Sequence, residues 1–181
     1  MNVTDAANSS RHAWSLADTP EVTPESLESW GTARLSAHQA SLARLLAAEE
    51  RTLAATWRAY DDAIAALGQA GSECGLLDSV HPSKPVRDKA QQLAQRVAQA
   101  ATALSLNQEV YRALASVDAS QADEATRHYV ERTLLQYRLA GVDKDEATRD
   151  HLQALHGQRL VIDDQRSQGP RFNHRSLNRS L

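Results

Sequence analysis

The chain has 181 residues, enough for one folded region with ragged ends, and its 41% hydrophobic content permits a core. A net charge of −3 gives no electrostatic basis for binding nucleic acid or a membrane surface, and a single cysteine excludes both an internal disulfide and a Cys-rich metal site. Much of the apolar fraction is alanine and only 4% of the residues are aromatic, so close helix–helix contacts are expected, with each large side chain carrying much of the burial.

Residues 1–22 are polar and aperiodic and read as a disordered lead-in. They hold no apolar run of signal-peptide length, and no later segment is apolar enough to span a bilayer, so the cytoplasm is the expected compartment. Thr23-Pro24 is a strong helix start, with Thr at the cap and Pro at the first helical position. Leu27, Trp30, Leu42, Leu45 and Leu46 are its expected buried residues, with a break placed near residue 36.

Leu53, Trp57, Tyr60, Ile64 and Leu67 recur at alternating steps of four and three, which sets them on one helical face. Gly68 and Gly71 are expected to end that helix, leaving residues 72–85 as a connector that holds Cys74 and has room for a short helix around Leu76 and Leu77. The stripe resumes at Val86 and runs through Ala90, Leu93, Ala94, Val97, Ala101 and Leu104. Ser105-Leu106-Asn107-Gln108 has the form of a capping box opening a short helix, with Val110, Tyr111 and Leu114 as its apolar side. Ser120 is the expected cap of the next helix, where Tyr129, Val130, Leu134 and Tyr137 line one side as far as Gly141. Asp143-Lys144-Asp145-Glu146 reads as another capping box before a last helix with Ala147, Leu152, Leu155 and Leu160. The sequence therefore predicts an all-α domain over 23–164, built of five to six mostly antiparallel helices. Residues 165–181 carry Arg166, Arg171, Arg175 and Arg179 with no acidic residue, and read as an unstructured basic tail.

No catalytic, cofactor-binding or metal-binding residue emerges. A helix-borne zinc pair needs histidines at i, i+4, and none of the seven is so placed; His151 and His156 are five apart. Glu49-Glu50 and Asp61-Asp62 are adjacent pairs, and neighbours on a helix diverge by about 100°, so each pair splits between faces. Cys74 has no histidine at helical spacing to activate it. Trp57 and Tyr60, with Tyr129 and Tyr137, are read as core in preference to a ligand groove. The arginine tail with its one Phe172 is too sparse for an RNA-binding reading.

Four strings in order carry a resemblance. They are Arg51-Thr52-Leu53 through Trp57-Arg58-Ala59-Tyr60-Asp61-Asp62-Ala63; Leu76-Leu77-Asp78-Ser79-Val80-His81-Pro82 with Val86-Arg87-Asp88; and Leu104-Ser105-Leu106-Asn107 with Val110-Tyr111-Arg112-Ala113-Leu114. The fourth is Thr126-Arg127-His128-Tyr129-Val130-Glu131-Arg132-Thr133-Leu134 with Tyr137-Arg138-Leu139-Ala140-Gly141-Val142. Across about residues 45–164 the chain resembles the N-terminal helical region of the thimet oligopeptidase, oligopeptidase A and peptidyl-dipeptidase family of zinc metallopeptidases. Tyr137 stands where that family usually has Phe.

The resemblance implies one wall of a channel that admits short peptides, with zinc held by a His-Glu-x-x-His helix that this chain does not contain. It therefore implies no catalysis by the chain alone. The implied partners are a separate catalytic half or a second copy, and short peptides only in a complete enzyme. Residues 165–181 resemble nothing in that family, as a truncated or frameshifted reading frame would give.

Overall fold

The computed structural model describes residues 21–167, except for the side chains of 156, 157 and 159–167. The first twenty residues of the expected lead-in, and residues 168–181 of the expected tail, lie outside the described residues. Six helices are present and no strand among the described residues, so the fold is all-α. They are α1 (Pro24–Ala47), α2 (Leu53–Val80), α3 (Lys84–Ser105), α4 (Gln108–Ala115), α5 (Glu124–Ala140) and α6 (Glu146–Ser167). The chain falls into two compact units that divide after Asp143, a boundary inside the 23–164 stretch.

In the first unit, α1 begins as its sequence demands. Thr23 accepts a hydrogen bond from the Ser26 amide at 3.1 Å and Ser26 Oγ accepts one from the Thr23 amide at 2.9 Å, closing a capping box around Pro24. The helix is continuous to Ala47, with no break near residue 36. Its inward face is Leu27, Trp30, Gly31, His38, Ser41 and Leu45, while Leu42 and Leu46 are only half-buried. Gly31 is a point of close contact between α1 and α3: a Cβ there would stand 2.7 Å from Leu93 Cδ2. His38 Nδ1 lies 3.0 Å from the carbonyl oxygen of Ala63, so it donates to it and ties α1 to α2 inside the core.

The expected end of α2 at Gly68 and Gly71 is not observed; the helix runs 28 residues through both, and through Gly75. Each interior glycine costs about 1 kcal/mol of helix propensity. Burial of Ala63, Ala66, Leu67, Ala70 and Cys74 on one face outweighs that cost, so Cys74 sits in the core and not in a connector. The helix stops at Val80, one residue before His81-Pro82, because the residue preceding a proline is driven out of the helical region. Arg87 then clamps the turn by donating to the carbonyls of His81 at 2.7 Å and Pro82 at 2.9 Å.

On α3 the buried residues are Val86, Ala90, Leu93, Val97 and Leu104, whereas Ala101 is exposed. The interfaces α1–α2 and α2–α3 are the most extensive in the unit, and short loops at 48–52 and 81–83 make these helices antiparallel neighbours. Across α1 and α3, Glu28 receives Arg96 Nη1 at 2.5 Å and Lys89 Nζ at 3.2 Å.

Two further caps differ from expectation. Asn107 alone caps α4, accepting from the Val110 amide at 3.0 Å. Asp123, not Ser120, caps α5, accepting from the Thr126 amide at 2.9 Å and the Thr126 hydroxyl at 2.7 Å. Ser120 instead donates to Asp118 in the preceding turn. Gly141 ends α5 at φ 100°, a conformation that side chains with a Cβ resist. Its amide bonds to Arg138 and that of Val142 to Tyr137, leaving Val142 fully buried behind the turn.

The second unit contains α6. Asp145 caps it, accepting from the Thr148 amide at 2.8 Å, and the helix extends three residues past 164 to Ser167. Leu155 is exposed and Leu152 half-buried.

Candidate functional site

Four of the aromatic side chains come together although they lie on two helices far apart in sequence. Trp57 meets Tyr60 edge-on at 5.7 Å between ring centroids and Tyr129 at 5.3 Å. Tyr137 lies 6.2 Å from Tyr60 and 5.9 Å from Tyr111 of α4. Tyr129 Oη donates to Asp61 at 2.5 Å, which links α5 to α2 at the surface. Burial, reinforced by the Asp61 carboxylate, pushes the Tyr129 hydroxyl well above its ordinary pKa.

Beside this cluster is a partly open cleft of about 280 Å³. Tyr60, Ile64 and Leu67 of α2 form one wall, and Ala101, Leu104 and Ser105 of α3 another. Thr133, Gln136 and Tyr137 of α5 complete it, and no charged side chain lines it.

Two buried polar atoms in this region, Trp57 Nε1 and Tyr137 Oη, have no hydrogen-bond partner among the described residues. The Tyr60 hydroxyl is near enough to influence that of Tyr137 but does not form a hydrogen bond with it in acceptable geometry. Burial, then Tyr60, raises the Tyr137 hydroxyl far above its usual value, so it stays protonated.

The other candidates separate. Asp61 faces Tyr129 while Asp62 pairs with Arg44 at 3.3 Å, so these adjacent carboxylates serve different faces of α2. Glu49 and Glu50 are exposed in the α1–α2 loop. Burial, then the nearby Glu73 charge, pushes the Cys74 thiol up to about 11, which keeps it protonated and a poor nucleophile at neutral pH.

His38 is buried in the core, His81 Nδ1 accepts from the Ser83 amide, and His128 and His151 are exposed. The side chain of His156 lies outside the described residues. No group of three or more His, Cys, Asp or Glu side chains among the described residues is placed to hold a metal ion. Ala101, Ser105, Thr133 and Gln136 escaped sequence reasoning as a group. Thr133 gave the one available signal, four residues from both Tyr129 and Tyr137 on the same face of α5.

A second feature lies on the surface. Leu135 and Leu139 of α5 are 47% and 77% exposed, and Leu76 and Val80 near the end of α2 are 61% and 66% exposed. Each pair is spaced i, i+4, so each forms a short apolar stripe facing water. No helix among the described residues is long and apolar enough to cross a membrane. No family model matches the chain, and no curated protein matches it at a significant level.

Proposed function

We propose that this chain is a non-catalytic helical piece of a peptide-handling channel wall, akin to the N-terminal region of the thimet-type zinc metallopeptidases. It acts by pairing with a second polypeptide. The observation that carries this reading is the exposure of Leu135 with Leu139, and of Leu76 with Val80. Apolar side chains exposed in pairs on one helical face offer a surface that another chain can cover. The likeness of the four strings within residues 51–142 supplies the family. Zinc and the catalytic groups would come from the pairing chain, and short peptides would be substrates only of the assembled pair.

The test is hydrolysis of short peptides by the purified chain, with and without EDTA, alongside sedimentation over a wide concentration range. The expected result is no hydrolysis, with a mass that rises with concentration or on adding a catalytic half. Leu135→Glu with Leu139→Glu should suppress that rise. EDTA-sensitive hydrolysis by the chain alone would overturn the reading.

A further inference from the structure

The two apolar stripes of the first unit sit among charges of opposite sign. On α5, Arg132 lies one turn before Leu135 and Arg138 one turn after it, both exposed, and no acidic residue follows Glu131 in that helix. On α2, Glu73 lies one turn before Leu76 and two before Val80 on the same face, and no basic residue follows Arg58 in that helix. Asp61, Asp62 and Asp78 add to its negative charge. Among the described residues, Arg132, Arg138, Glu73 and Asp78 form no ion pair. Beyond the α2 turn, Lys84 is paired with Asp88, and Arg87 is held on the loop carbonyls.

We infer that the two stripes bind each other across copies of this chain, head to tail. Leu135 and Leu139 of one copy pack on Leu76 and Val80 of the next, and Arg132 and Arg138 face the acid-bearing C-terminal part of the neighbour's α2. The inference rests on the pairing reading above for the stripes being contact faces, and not on the likeness to a peptidase. One chain cannot join its own two stripes. The Tyr129–Asp61 bond fixes where α5 crosses α2, and Leu76 is fifteen residues further along, about 22 Å at 1.5 Å per residue. A dimer built this way keeps one free face of each kind, so it adds further copies into a ring or a filament. With two apolar pairs at its centre the contact is weak, and a Kd of about 0.1 mM is expected.

The experiment follows the full chain by sedimentation from about 10 µM to about 1 mM, bracketing that Kd. The parent's mass should rise past that of a dimer. Leu135→Glu with Leu139→Glu, and separately Leu76→Glu with Val80→Glu, should each stay monomeric, because each lacks one of the two faces. All four side chains face water, and circular dichroism checks that both variants remain helical. Mixed in equal amounts, the two variants should form a dimer and nothing larger, since one supplies only an intact α2 face and the other only an intact α5 face. Arg132→Glu with Arg138→Glu, which keeps the leucines, should weaken the parent's association by about tenfold or more.

A parent chain that stays monomeric throughout would overturn the inference and leave pairing with a different polypeptide standing. So would a dimer that persists in one stripe variant alone, which marks a face pairing with itself, a mixture that stays monomeric, or an unchanged Kd in the arginine variant. Association unaltered by either stripe variant would overturn this inference and the pairing reading together.

Discussion

Two regions of the first unit are held together by different means. Between α1, α2 and α3 the contact faces are made of Gly31, Ala63, Ala66, Ala70, Cys74 and Ala90 with interleaved leucines and valines, and the helices approach closely. Where α5 meets α2, the contact runs through Trp57, Tyr60, Tyr129 and Tyr137, and the two backbones have little close approach. Small side chains let helix axes draw together and leave little room for error, whereas rings bridge a wider gap from their edges. The wider gap is also where the cleft and the unmet hydroxyl are found. In a chain with 4% aromatic residues, clustering them at one junction concentrates there both the burial and the imperfection of fit.

The contrast can be broken by substitution, and the largest effect is expected at Leu93. Leu93→Ala should destabilise the chain by ~3–4 kcal/mol in chemical denaturation, because the rigid three-helix layer cannot collapse into the cavity. Leu134→Ala, half-buried on the α5 side, should cost about half as much. Equal losses would mean that the two regions are packed alike.

Glycines give the next test. Gly31→Ala forces a methyl to within 2.7 Å of the buried Leu93 side chain and should cost ~1–2 kcal/mol. Gly68→Ala and Gly75→Ala meet nothing within 4 Å and should each stabilise by ~0.5–1 kcal/mol through helix propensity. A stabilising Gly31→Ala would show that the α1–α3 contact is looser than described.

Smaller still is the change expected for Tyr137→Phe. Removing a hydroxyl that has no partner should leave stability within ~0.5 kcal/mol of the parent or raise it slightly, as melting curves would report. A clear loss would mean that the hydroxyl is satisfied after all.

An effect of similar, small size belongs to Glu28. Arg96, and less strongly Lys89, hold its carboxyl below the usual carboxylate range. The unfolded chain therefore takes up the proton more readily than the folded one. The contribution is complete above the unfolded value of about 4.3 and is lost as pH falls through the depressed folded value. With its side chain 40% exposed, solvent limits the network to about 0.2–1 kcal/mol, and salt should weaken it. Glu28→Gln should flatten the fall of stability with pH below about pH 4.3, and leave the curve between neutral and mildly acidic pH unchanged in slope.

Much of the fold could be read in the sequence where apolar residues recur without interruption. The α3 stripe from Val86 to Leu104 and the Thr23-Pro24 start are observed nearly as expected. The inner face of α1 was hidden because three of its members, Gly31, His38 and Ser41, do not count as apolar; each is buried for a reason visible only across helices. Reading Gly68 and Gly71 as breakers failed for a related reason. Local propensity opposes a helix there, but the alanine face opposite α1 and α3 favours it by more. The separation of Asp61 from Asp62 followed from helical geometry alone. The cleft could not, because its walls lie between residues 60 and 137 on three helices and no local pattern joins them.

Cys74 gives the three-helix layer a built-in clock. Its thiol is 0% exposed on the buried face of α2, in the C-terminal part of that helix, and it is the one sulfhydryl in the chain. An alkylating reagent can reach it only when neighbouring helices part, so the rate of labelling under native conditions counts those openings directly. A thiol that is chemically quiet in the closed state thereby becomes the most direct gauge of how often that state comes apart.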